Sequence, residues 1–300
     1  MWLIESITSG FKPQLPITNL VLFRLLVGTI FLYKFLLETA RGYYGYFSPG
    51  SLSFEMDKIS GNVPVLSERS YKALYIAKII SAFCLIIGFI PKVALFTIFI
   101  SFLVEVRIYF KFHTSLFALV SFSLLFANDL SSGFSIINLG PPPRNLVGSQ
   151  LPAVMVATTI VILYFTTFVR KVRSKPFYSG NVLLSTLQFL HDQKPFRLYR
   201  DSYYPKIFVD YFVLGDREKL LERWRPIIWF SISLHFLIPM FLLIDGFRAW
   251  GMLLGVALHL GYTCFYQLTL VHFSFMMIAS YLMFIDPVEI DSFVRSLANS

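Results

Sequence analysis

Eight stretches of mostly apolar residues run through this chain of 300, and they leave it few folds: roughly Ile17–Leu37, Lys72–Ile90, Val93–Tyr109, His113–Phe126, Val154–Phe168, Ile227–Ile244, Ala249–Tyr266 and Val271–Ile285. A helix that crosses the hydrocarbon core of a bilayer needs about 20 predominantly apolar residues. Backbone in contact with lipid must satisfy its own hydrogen bonds, which a helix does. Charged residues make up 14% of the chain and hydrophobic ones 56%. Soluble domains carry about 25% charged residues, so there is too little polar surface here to cover a water-soluble globule. The 33 Phe and 16 Tyr suit a lipid-packed bundle with aromatic belts at its edges. Disorder is excluded, because it needs low hydrophobicity and high charge. The expected fold class is an all-α polytopic membrane protein, a bundle of about eight transmembrane helices, with residues 1–300 forming a single membrane domain.

The breaks between segments are well marked. Gly42 to Pro49 is rich in Tyr and Gly, Pro91 separates the second and third segments, and Pro141-Pro142-Pro143 cannot continue a helix. Residues 170–225 form the one long polar stretch. It holds RKVRSK, an amphipathic run from Asn181 to Leu190, KPFRLYRDSYYPK and GDREKLLERWR. A stretch this long usually carries structure of its own, and short interfacial helices are expected between the fifth and sixth segments. With eight crossings, five of the 26 Lys and Arg fall on the side of the N-terminus and 18 on the other, with Arg24, Lys34 and Lys78 inside segments. The positive-inside rule then puts the richer side in the cytoplasm and both termini outside.

The net charge of +9 is read as loop anchoring, and no nucleic-acid partner is expected. Cys84 and Cys264 both sit in apolar segments, so neither a disulfide framework nor a thiolate metal site is implied. The N-terminal MWLIESITSGFKPQLP has an early Glu5 and no basic lead into an apolar core, so a cleaved signal peptide is not expected. No internal repeat of the kind transporters carry stands out.

Ionisable residues at membrane depth are costly and mark candidate sites. Arg24 lies in LVLFRLLVG with Lys34 farther along the same segment, and Glu105 and Arg107 in VEVRIYF offer ion partners. Their structural interpretation is a buried pair, or a snorkelling side chain, that holds helices in register. His113 opens the fourth segment in YFKFHTSLFALVSFSLLF. His235, His259 and His272 belong to later segments, with His259 placed deepest, in VALHLGYTCF. None of the three is spaced i, i+4 from another, so no metal site is expected. Arg170-Lys171-Val172-Arg173 closes the fifth segment. Taken alone it is a membrane-anchoring cluster. However, His113 and Lys171 fall on one membrane face if only the fourth and fifth segments separate them. A lysine at an apolar boundary beside two arginines is disfavoured in its charged form by desolvation and by like charge. Under such conditions a lysine serves as a base near neutral pH.

Four motifs recur in order along the chain. VLFRLLVG opens it, His113 leads into FALVSFSLLFANDLSSGFSI, YFTTFVRKVRSKPFYSG follows, and the run from Pro239 through HLGYTCFYQL to HFSFMMIASYLMFIDP closes it. Together they resemble vitamin K-dependent γ-glutamyl carboxylase and its bacterial relatives, the HTTM (horizontally transferred transmembrane) domain proteins, over most of the 300 residues. YFTTFVRKVRSKPFYSG is similar to the family's YF…V-K-K…G segment, where the second lysine is the base; Lys171 takes that place, with Arg170 for the first lysine. VLFRLLVG resembles the opening Arg-Leu/Ile-x-x-Gly helix, and His259 stands at the family's helix-borne histidine.

The resemblance implies Lys171 and His113 as catalytic residues, His259 and Arg24 as cofactor contacts, a reduced naphthoquinone (vitamin K or menaquinol) as cofactor, and no metal. In the family's carboxylases the free lysine amine deprotonates the quinol, O2 adds and an epoxide forms. The strong base so produced takes a proton from a peptide glutamate, and CO2 captures the carbanion. For this chain the implied function is a vitamin K-dependent carboxylase-like protein of a bacterial inner membrane. It would act as a lyase, by quinol-dependent oxygenase or carboxylase-type modification of a small peptide or a lipid. The alternative is a non-catalytic subunit that assists maturation or export of a bacterial peptide toxin, with residues 170–225 docking a companion subunit or anionic lipid. The chain is expected to lack the carboxylases' large extra-membrane domain. It also has one extra residue between Lys171 and Gly180, and carries Arg173, Ser174 and Lys175 where the family has acidic residues.

Overall fold

Each of the eight apolar segments is helical in the computed structural model, which describes residues 14–40, 42, 66–108, 112–143, 146–192, 206–266 and 270–298. The helices are α1 (Thr18–Ala40), α2 (Glu68–Ile87), α3 (Pro91–Ile108), α4 (Phe112–Leu125), α5 (Leu151–Arg173), α6 (Lys175–Tyr178), α7 (Asn181–Asp192), α8 (Lys206–Phe212), α9 (Arg217–Leu243), α10 (Arg248–Tyr266), α11 (Val271–Ser280) and α12 (Pro287–Ala298). Two short strands, β1 (Gln14–Pro16) and β2 (Val147–Ser149), pair antiparallel with Leu15 opposite Gly148, an element the apolar pattern does not announce. Most of the Gly42–Pro49 break, the Lys194–Pro205 part of the polar stretch, Lys12 and Arg144 lie outside the described residues.

Four helices among the described residues, α1, α2, α5 and α9, are long and apolar enough to cross a membrane. A fifth span is added if the pair 271–284 and 287–298, bent by 102°, counts as one. The chain is therefore a predominantly helical membrane protein, with four or five such spans among the described residues where eight crossings were expected. The fourth segment forms only 14 helical residues, and α3 carries Lys92, Glu105 and Arg107 within its 18. The sixth segment begins ten residues before its expected start. Asp216 caps α9 by accepting hydrogen bonds from the Glu218 and Lys219 backbone N–H groups, both at 3.1 Å, so GDREKLLERWR is the first part of a helix and not loop. Pro226 sits inside α9, and exposed Glu222 keeps the carbonyl that the proline cannot bond.

The chain divides into two compact units, residues 1–159 with 275–300, and residues 160–274. In the first, α1 packs on α2, α2 on α3 and α3 on α4 around the rings of Phe31, Phe35, Phe102 and Phe117. The buried Lys34 pairs with Glu38 and the buried Lys78 with Glu105, so neither ammonium is left without a counter-charge. Lys78 also stands 4.4 Å from the Phe35 ring centre.

In the second unit, α7, α8 and the first turns of α9 enclose a small core of Leu184, Leu187, Val209, Val213, Leu220 and Trp224. The Trp224 indole N–H donates to the Phe212 carbonyl at 2.8 Å, which ties α8 to α9. Beyond the turn at Asp245–Phe247, α10 runs back along α9. Gly251 permits this close approach, since a Cβ there would stand 2.9 Å from the Leu242 nitrogen.

Candidate functional site

Lys171 lies in the last turn of α5 and is only 9% exposed. Its Nζ donates to Tyr262 Oη of α10 at 2.8 Å and lies 3.2 Å from His235 Nε2 of α9. The ring centres of Phe177 and Tyr262 are 5.0 and 5.3 Å from it. Among the described residues, no carboxylate pairs with this amine.

The protons around it can be assigned from the partners. His235 Nδ1 is 2.6 Å from the Ser231 carbonyl, which can only accept, so Nδ1 carries the hydrogen. In the neutral ring Nε2 then holds a lone pair facing both Lys171 Nζ and Tyr262 Oη, the latter also at 3.2 Å. Ser231 Oγ is 3.0 Å from Tyr262 Oη. The amine therefore has two acceptors in place for its N–H groups, a phenol oxygen and an imidazole nitrogen.

A second buried pair stands next to this one on the same helices. Tyr164 of α5 and His259 of α10 meet at 2.8 Å between Oη and Nε2. His259 is 2% exposed, and its Nδ1 has no partner among the described residues. Its ring sits edge-on to Tyr262 and Phe273, with centres 5.9 and 5.7 Å away.

The sequence-level candidates thus separate. Lys171 and His259 belong to this cluster in the second unit. His113 stands half-buried in the first turn of α4, in the first unit. Arg24, also in the first unit, is fully buried in α1, and its Nη2 donates to the Gly133 and Phe134 carbonyls at 3.2 and 2.6 Å. It pairs with neither Glu105 nor Glu38; those carboxylates hold Lys78 and Lys34. His235 and Tyr262 were not singled out by the motifs. Spacing carries a signal for both, since Ser231 and His235 are i, i+4 on α9, and His259 and Tyr262 are i, i+3 on α10.

The family model described as "HTTM domain" matches residues 11–288. No curated protein and no solved structure matches the chain. The match runs through every described helix of both units except α12, of which it reaches only Pro287 and Val288, and the chain belongs to the HTTM domain family.

Proposed function

We propose that the chain is a quinol-dependent oxygenase or carboxylase-type enzyme acting on a small peptide or a lipid, with Lys171 as its base. The supporting observation is the buried Lys171 amine, held by Tyr262 and His235 without a carboxylate among the described residues. The HTTM domain is also that of the membrane part of vitamin K-dependent carboxylase. The residues fit a reduced naphthoquinone. They offer an amine, aromatic faces on Tyr262 and Phe273, and a buried imidazole nitrogen, His259 Nδ1, with no partner among the described residues. When bound, such a quinol supplies the electrons that reduce O2 and is converted to its epoxide.

The chain's own part is proton handling. The lone pair of the neutral Lys171 amine takes a proton at Nζ. Tyr262 Oη and His235 Nε2 are already placed to accept hydrogen bonds from the ammonium that results. The hydrogen bond from His235 Nδ1 to Ser231 keeps the imidazole turned to do so. His259, steadied by Tyr164, is the proposed contact to a quinol oxygen. The resemblance also implies an assisting role for His113 and a cofactor contact for Arg24; the proton handling at Lys171 involves neither. The bundle would cross a bacterial cytoplasmic membrane eight times, with α6, α7 and α8 lying along its surface. A companion subunit or a small peptide would bring the group to be modified.

The test is to reconstitute the protein in lipid and supply reduced vitamin K or menaquinol with O2. Quinone epoxide is then measured by mass spectrometry for wild type and Lys171→Ala. Epoxide from the wild type alone supports the proposal, and equal epoxide from both rejects Lys171 as the base.

A further inference from the structure

Between α4 and β2 the chain forms a loop whose polar backbone is turned inward. The Phe134 N–H donates to the Gly140 carbonyl at 2.8 Å, Ser135 N–H to the Asn138 carbonyl at 2.7 Å, and Ile136 N–H to the Ile87 carbonyl at the end of α2, also at 2.7 Å. Asn138 completes the closure. Its N–H donates to Ser135 Oγ at 3.1 Å, its Nδ2 to the Ser132 carbonyl at 2.7 Å, and its Oδ1 accepts from Gly140 N–H at 3.1 Å. The Gly133 and Phe134 carbonyls take Arg24 Nη2. Gly88 admits that guanidinium, because a Cβ there would lie 2.1 Å from Arg24 Nη1 and 2.4 Å from Ser135 Cβ.

The large side chains of the same loop point the other way. Ile136, Ile137 and Leu139 are 64%, 79% and 85% exposed. A loop facing water usually shows polar side chains and lets water satisfy its backbone. This one does the opposite, and residues 130–143 include no charged side chain. Five of the seven N–H groups of residues 134–140 are bonded within the protein, which lowers the cost of seating the loop's aliphatic side chains at the boundary of the hydrocarbon.

Two neighbours extend this surface. On the α2–α3 turn, to which Ile136 is bonded, Phe89, Ile90 and Val93 are exposed, continuing the outward apolar residues of α2 such as Ile80 and Phe83. Helix α12 is fastened to the same end, with Arg295 Nη2 donating to the Pro142 carbonyl at 2.9 Å and Thr18 to Asp291. It exposes Phe293 and Leu297, one turn apart.

We propose that loop 134–140 is a membrane-inserting wedge, seated with Phe293 and Leu297 among lipid acyl chains at the bilayer edge, and that Arg24 fixes its shape from within. The proposal is independent of any activity at Lys171. It is tested by a nitroxide spin label at Ile137→Cys in a Cys84→Ser, Cys264→Ser background, in phosphatidylcholine vesicles, with Asn128→Cys, exposed and nearby in sequence, as the reference. Collision with O2, which concentrates in lipid, is compared with collision with a water-soluble nickel chelate. The ratio of O2 to nickel collisions is expected to be several-fold higher at 137 than at 128. Equal ratios would put the loop in water and overturn the proposal. A label at 137 shielded from both reagents would mean that protein covers the loop, which also overturns it.

Discussion

Lys78 and Lys171 are both buried, but their partners differ in kind. Lys78 meets Glu105 and the Phe35 ring, so its charge is matched inside the bundle. Lys171 meets a phenol and an imidazole. The first arrangement holds a fold and the second leaves an amine available for chemistry, and the two predict different mutant behaviour. Glu105→Gln leaves a buried ammonium unpaired and is expected to cost about 3–5 kcal/mol of stability. The double change Lys78→Met with Glu105→Leu should recover most of it. Thermal melting in detergent checks both. Tyr262→Phe removes one of the two acceptors that Lys171 uses, a hydrogen bond worth about 1–2 kcal/mol. Turnover should fall by about tenfold while the melting temperature changes little. An unaffected rate would remove Tyr262 from the mechanism.

At the scale of elements, the cluster depends on the register between α9 and α10, which the turn at Asp245–Phe247 and the contact at Gly251 set. Gly251→Val would push the helices apart, with a cost of about 1–3 kcal/mol for overpacking. Because Tyr262 and His259 ride on the same helix, epoxide formation should fall although no residue of the cluster has changed; a turnover assay with a melting curve in parallel reads both effects. The same dependence explains what the sequence could and could not show. Lys171 was legible as a candidate because YFTTFVRKVRSKPFYSG resembles the family's YF…V-K-K…G segment; its basic cluster alone would be a membrane anchor. His235 and Tyr262 were not, since nothing local separates a histidine facing a neighbouring helix from one facing lipid. Only their i, i+4 and i, i+3 companions, Ser231 and His259, hint at a shared polar face. The start of α9 was misread for a related reason. Charged GDREKLLERWR falls in the polar stretch by composition, but Asp216 caps it as the start of α9, and Pro226 lies within that helix.

For the whole molecule, apolar patterning was enough to identify a predominantly helical membrane protein and to place a helix in each of the eight segments. Among the described residues four or five helices have the length and apolarity of a span, while α4 has 14 residues and α3 carries three charges. The small β1–β2 pairing joins residues more than 130 positions apart, and no local signal foreshadows it. The proposed orientation rests on charge and on eight crossings. With the basic stretch inside, a cysteine at exposed Lys219, in a background free of Cys84 and Cys264, should react with a membrane-impermeant maleimide only in inside-out vesicles. Labelling in intact cells would reverse the topology and put the Lys171 end outside.

The central claim, that the Lys171 amine is the base, is tested most directly by chemical rescue. Lys171→Ala would be reconstituted in lipid with reduced vitamin K and O2, supplied with primary amines of graded basicity, and assayed for quinone epoxide. The account predicts that turnover lost in the variant returns with added amine and rises with the amine's basicity. Epoxide formed by Lys171→Ala at the wild-type rate without any amine would contradict it.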